Sequence, residues 1–99
     1  MEIREEKSEE NIILHVSGEI DGTNVDDFES TLDDACERTE SLILDLDGLE
    51  YVSSAGLRVF LTIQKKMKQR GFDMLLKNVE DEVMDIFSVT GFVKLLNIE

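Results

Sequence analysis

The chain has no proline, one cysteine, one histidine and few basic side chains, and each shortage excludes something. Neither a proline-rich nor a low-complexity linker divides its 99 residues, and no internal repeat is visible, so residues 1–99 are expected to form a single domain. Cys36 has no partner for an internal disulfide, and its place beside Ala35 in a helical pattern marks it as a packing residue. His15 and Cys36 alone fall far short of a zinc set. Asp45 and Asp47 read as a strand end and a turn rather than metal ligands, so neither a metal nor a cofactor is expected. No stretch approaches the roughly 20 apolar residues that a bilayer-crossing helix needs. The charged start, Met1 to Glu6, does not resemble a signal peptide, and a cytoplasmic location is the expectation.

Ten basic residues stand against 23 acidic ones, a net charge of −13, which opposes direct binding to nucleic acid or anionic membranes and favours a basic partner. The imbalance lies in the first half: residues 1–50 carry 3 basic and 17 acidic side chains, residues 51–99 carry 7 and 6.

Apolar periodicity outlines an α/β domain. Residues around Ile3 to Glu5 and Asn11 to Ser17 read as a hairpin turning at Ser8-Glu9-Glu10. The segment from Gly18 to Thr23 then interrupts the pattern. Thr23 or Asn24 is placed to cap a helix with Val25, Phe28, Leu32 and Ala35 on one face and Asp26 and Asp27 in its acidic first turn. Leu42 to Leu46 reads as a central strand aimed at the serines that follow the Asp47-Gly48 turn. A second helix, from Ala55 to Arg70, carries Val59, Phe60, Ile63 and Met67 inward. Lys65, Lys66, Lys68 and Arg70 form a solvated cationic end before Gly71. Phe72 to Leu76 suggests another strand, Val83, Ile86 and Phe87 a short helix ending near Gly91, and Phe92 to Leu96 a final edge strand. Strands alternating with helices after a hairpin imply a small, mostly parallel or mixed sheet.

The most informative segment is Tyr51-Val52-Ser53-Ser54-Ala55-Gly56-Leu57-Arg58-Val59, where two hydroxyls sit between a strand end and an amphipathic helix. A serine at a helix start can cap unpaired backbone N–H groups or, once phosphorylated, present a dianion to them. Gly56 permits close approach of a partner or phosphate, or reflects tight packing. Leu57 and Phe92 are read either as partner contacts or as core residues. Ser54, His15 and Asp21 define no hydrolytic triad, and enzymatic turnover is not expected.

Three segments together resemble the STAS domain family, and within it the bacterial anti-sigma-factor antagonists. They are Val16-Ser17-Gly18-Glu19-Ile20-Asp21, then Leu44-Asp45-Leu46 followed by Leu49 to Leu57, and finally Phe87-Ser88-Val89-Thr90-Gly91-Phe92. The resemblance runs from about Ile3 through Leu95. It implies a small domain with a mixed central sheet, an N-terminal hairpin and helices after the later strands. It also implies phosphorylation of Ser54, with Ser53 as a minor alternative acceptor, and roles for Asp21, Ser53, Gly56 and Leu57 in binding or orienting a partner. That partner would be an anti-sigma factor with serine-kinase activity, opposed by a phosphatase. One departure is that many switch-type relatives carry aspartate where this chain has Ser53. The resemblance equally admits a non-enzymatic STAS binding module of a transporter or larger signalling assembly.

Overall fold

The computed structural model describes residues 1–99, in which five strands, three α-helices and one 3₁₀ turn alternate. Strands β1 (Glu2–Lys7) and β2 (Ile12–Ile20) form the expected antiparallel hairpin, with Arg4 opposite His15. Strand β3 (Ser41–Asp45) runs parallel to β2, and β5 (Asp73–Lys77) parallel to β3, giving the order β1-β2-β3-β5. The sheet is therefore mixed, as expected.

Two strand assignments change near the serines. Strand β2 continues to Ile20 instead of breaking at Gly18, because a register shift between Gly18 and Glu19, with Gly18 at φ 89°, absorbs the irregularity. A separate strand, β4 (Leu49–Val52), lies between the central strand and the serines and pairs in parallel with this far end of β2. It is β4 rather than β3 that delivers the chain to Ser53. The expected final strand at Phe92 to Leu96 is instead a 3₁₀ turn over Phe92–Lys94. Gly91, at φ 82°, ends the preceding helix in the left-handed conformation and turns the chain into it. The sheet edge is reached only at Ile98, beside Leu76. Buried Gln64 fastens this tail: its amide N–H donates to the Leu95 carbonyl, and its Oε1 accepts from the Asn97 N–H.

Alternation along β2 buries Ile12, Leu14 and Val16 and leaves Ile13, His15 and Ser17 half-buried on the opposite face. His15 bridges strands there, with Nε2 2.9 Å from Glu6 and Nδ1 3.3 Å from Asp45. Helix α1 (Val25–Glu37) turns Phe28, Leu32, Ala35 and Cys36 inward, and burial raises the Cys36 thiol above its ordinary range. Helix α2 (Ser54–Gln69) contributes Val59, Phe60, Ile63 and Met67, and α3 (Asp81–Thr90) contributes Val83 and Phe87. Phe60 holds the helices together, meeting Phe28 edge-on at 5.3 Å and Phe87 at 5.7 Å. Such pairs add about 0.5–1.5 kcal/mol each beyond burial.

The cationic end of α2 is exposed, as expected, and two of its side chains also reach across to α1 and the loop after it. Lys66 pairs with Asp33 of α1, while Arg70 donates to the carbonyls of Cys36 and Thr39 and stacks over Phe72 at 5.2 Å. These contacts lock α2 against α1 at the end remote from Ser54.

Candidate functional site

The site forms where β2 and β4 end. The parallel pairing extends one residue past β4, with the Ser53 N–H donating to the Ile20 carbonyl at 2.9 Å. This bond draws the loop after β2 and the start of α2 together, so Asp21 and the serines, 32 and 33 positions further along the sequence, belong to neighbouring turns.

The two serines have different tasks. Ser53 is the N-cap of α2, with extended backbone (φ −74°, ψ 169°) and a side-chain oxygen that accepts the Gly56 N–H at 3.2 Å. Ser54 is the first helical residue, and its side chain is exposed. The hydroxyl outside the cap is therefore the one facing solvent, while the capping hydroxyl is half-buried.

Asp21 lies in a turn of its own making. Its Oδ1 accepts from the Thr23 N–H at 2.9 Å and from the Thr23 hydroxyl at 2.6 Å, and these bonds hold the carboxyl below its ordinary range. Asn24 occupies the N-cap position of α1 but does not cap through its side chain. Its amide instead donates to the Glu19 carbonyl and accepts from the Asp21 N–H. Neither Asn24 nor Thr23 provides the expected cap, because both side chains serve the Asp21 turn.

Gly56 and Leu57, each read as a partner contact or as a packing residue, lie beneath the surface. A Cβ on Gly56 would stand 2.8 Å from Val52 Cγ1 and 2.9 Å from Ile20 Cγ2, so the glycine is what lets the first turn of α2 rest on β2 and β4. Leu57 is only 4% exposed, within the apolar core. Phe92 is half-buried against the same core. The surface around Ser54 is supplied by other side chains. Tyr51 is 45% exposed on β4, and a shallow groove between the starts of α1 and α2 is lined by Val25, Asp26, Glu29, Ala55, Arg58 and Thr62. Arg58, exposed one helical turn beyond Ser54, escaped the sequence reading, although the i, i+4 spacing from the serine was a signal for it.

Charge sets this helix start apart. The first turns of α1 and α3 carry acid pairs, Asp26 with Asp27 and Asp81 with Glu82, whereas the first turn of α2 carries none. A hydroxyl there can gain negative charge without an acidic neighbour in its own turn.

Comparison with known proteins agrees with this fold. The STAS domain family profile matches residues 2–99. The anti-sigma F factor antagonist of Paenibacillus polymyxa is 30% identical over 89 residues, covering 88% of this chain and 76% of that protein. Among solved structures, the anti-sigma factor antagonist SpoIIAA in its unphosphorylated form superposes with a TM-score of 0.82 at 17% identity, covering 99% of this chain and 88% of that one. The Bacillus cell fate determinant SpoIIAA in its phosphorylated form gives 0.75 at 16% identity, covering 99% and 91%.

Proposed function

The chain belongs to the STAS domain family, and from that premise we propose that it is an anti-sigma-factor antagonist switched by phosphorylation of Ser54. In the unmodified form it binds an anti-sigma factor that is also a serine kinase, occupies that inhibitor and releases the sigma factor. The kinase supplies ATP, magnesium and the base that takes the hydroxyl proton. Ser54 Oγ attacks the γ-phosphorus, ADP leaves, and the phosphoserine form no longer binds. A phosphatase restores the hydroxyl. Residues 1–99 act as one unit in this scheme, and the chemistry of transfer lies in the partner.

The observation that carries the reading is the division of labour between the serines. Ser53 already accepts a backbone hydrogen bond as the cap, whereas Ser54 is exposed on the first turn of α2. Ser53 thus takes the capping role that an aspartate at that position would also fill, and Ser54 is the accessible acceptor. Asp21 supports the site by fixing the adjacent turn. Phosphorylation adds about −1.5 to −2 charges and three acceptor oxygens. Against a net charge of −13 the long-range change is small in proportion. The effect is therefore local: the phosphate meets carboxylate or apolar surface on the partner, or engages the helix start and removes that contact.

The test is to mix the purified protein with copurified kinase partner, ATP and magnesium, and to locate the phosphate by mass spectrometry. Ser54→Ala should abolish phosphate transfer while largely preserving binding, and Ser54→Asp should weaken binding. Transfer to the Ser54→Ala protein at the normal rate would refute the assignment and move it to Ser53. Copurification with a transporter subunit or scaffold, and no kinase, would refute the sigma-factor role.

A further inference from the structure

We infer that Arg58 is the intramolecular counter-ion of a phosphate on Ser54, holding the modified group along α2 instead of leaving it to project freely. This rests on Ser54 as the acceptor. The two side chains are both exposed and four residues apart on one helix, the spacing at which side chains face each other about 5–6 Å apart at Cβ. The anionic member is N-terminal to the cation, the more favourable order for such a pair. Arginine also presents a planar donor fork that matches phosphate in a bidentate fashion.

Arg58, Arg4, Lys7, Lys65, Lys68 and Lys94 make no ion pair, and of these Arg58 is the one that lies a helical turn from Ser54. Arg38 is engaged by Glu5 and Asp34, Lys66 by Asp33, and Arg70 by backbone carbonyls. Arg58 takes part in none of the ion pairs, although Asp26 and Glu29 of α1 line the same groove. It is thus a guanidinium that shares a groove with two carboxylates of α1 and lies one helical turn from the acceptor hydroxyl. A phosphate dianion on Ser54 outcompetes those single carboxylates for it, because it carries more charge and more acceptor oxygens. Phosphorylation then does two things: it adds charge at the surface and it withdraws the cation from the groove, so a partner carboxylate that used Arg58 loses it.

The experiment uses the full chain with phosphoserine installed at position 54 by genetic encoding, so no kinase is required. A ³¹P NMR titration reads the second ionisation of the phosphate, ordinarily near 6. With Arg58 present the midpoint should lie about 0.2 to 0.4 pH units below that of the Arg58→Gln protein, the size expected of an exposed i, i+4 pair. Arg58→Lys, which keeps the charge but loses the fork, should fall between them, and the difference should shrink in concentrated salt. Coincident midpoints for the wild-type and Arg58→Gln proteins would overturn the inference, as would a difference insensitive to salt. Circular dichroism of the unmodified variants checks that both are folded. Because the phosphate is installed directly, a failed Arg58 contact leaves the acceptor assignment standing. Conversely, a kinase that does not modify Ser54 would sink that assignment without moving this titration.

Discussion

Replacing the two adjacent serines one at a time should produce opposite phenotypes, one in stability and one in signalling. Ser53→Ala deletes the oxygen that accepts the Gly56 N–H and leaves that donor, at a part-buried position, without its partner. Loss of an N-cap of this kind costs about 1 kcal/mol, within a range of about 0.5–2. For a domain of this size, about 1 kcal/mol corresponds to roughly 4–8 °C in Tm. Ser54→Ala removes an exposed hydroxyl outside the cap and should stay within about 0.5 kcal/mol of the wild type. Ser53→Asp restores the capping oxygen and adds a carboxylate at the positive end of α2, whose first turn has no acid of its own, and should recover at least the wild-type Tm. Thermal melts followed by circular dichroism, at equal protein concentration and ionic strength, decide the matter. If Ser54→Ala lowered the Tm as much as Ser53→Ala, or if Ser53→Ala left it unchanged, the hydroxyls would not divide capping from display, and the case for Ser54 as the free acceptor would fail.

Gly56→Ala should destabilise the protein even though alanine favours a helix by about 1 kcal/mol over glycine. The new methyl would press on Val52 and Ile20 at 2.8 and 2.9 Å, and overpacking of this kind costs about 1–3 kcal/mol. The net expectation is therefore a loss of about 1 kcal/mol by chemical denaturation, and a gain of that size would contradict the packing argument. A pH titration provides a separate check at Asp21 and Asp45. Hydrogen bonds from Thr23 lower the Asp21 carboxyl below 3.8. For Asp45, partial burial works the other way but is outweighed by hydrogen bonds from Asn78 and Asp47 and by the charges of His15 and Lys77, so it too lies below 3.8. Because the folded state holds these protons more weakly than the unfolded chain, their stabilisation is complete above the ordinary carboxyl value and is lost as pH falls through the lowered midpoints. NMR titration midpoints at or above 3.8 would remove this contribution, and Asp21→Asn should flatten the loss of stability between about pH 4 and pH 2.

How much of this was legible in the sequence depends on the range of the interaction that decides each feature. The opening hairpin, the inward faces of α1 and α2, the glycine stop after α3 and the placing of two serines at a helix start all follow from periodicity and turn chemistry within a few residues. The family resemblance rests on the same local segments and pointed to the mixed sheet and to Ser54. By contrast, the expected last strand over Phe92 to Leu96 is a 3₁₀ turn that leaves Val93 and Leu95 exposed and buries only Leu96 beyond it, and periodicity over five residues does not distinguish the two.

Which serine is displayed, and which glycine and leucine are hidden, was settled by tertiary contacts. Sequence alone placed Ser53, Ser54, Gly56 and Leu57 within one short motif and allowed each to meet a partner. Parallel pairing of β4 with the end of β2, closed by the Ser53 bond to Ile20, sets the depth of that motif: it presses Gly56 onto Ile20 and Val52, turns Leu57 into the core and leaves Ser54 and Arg58 outside. Parallel strands pair across long stretches of chain through backbone groups that every residue possesses, so composition and spacing carry little record of their register. Side-chain identity determined what chemistry is present at this junction, and strand pairing determined which of it faces the solvent.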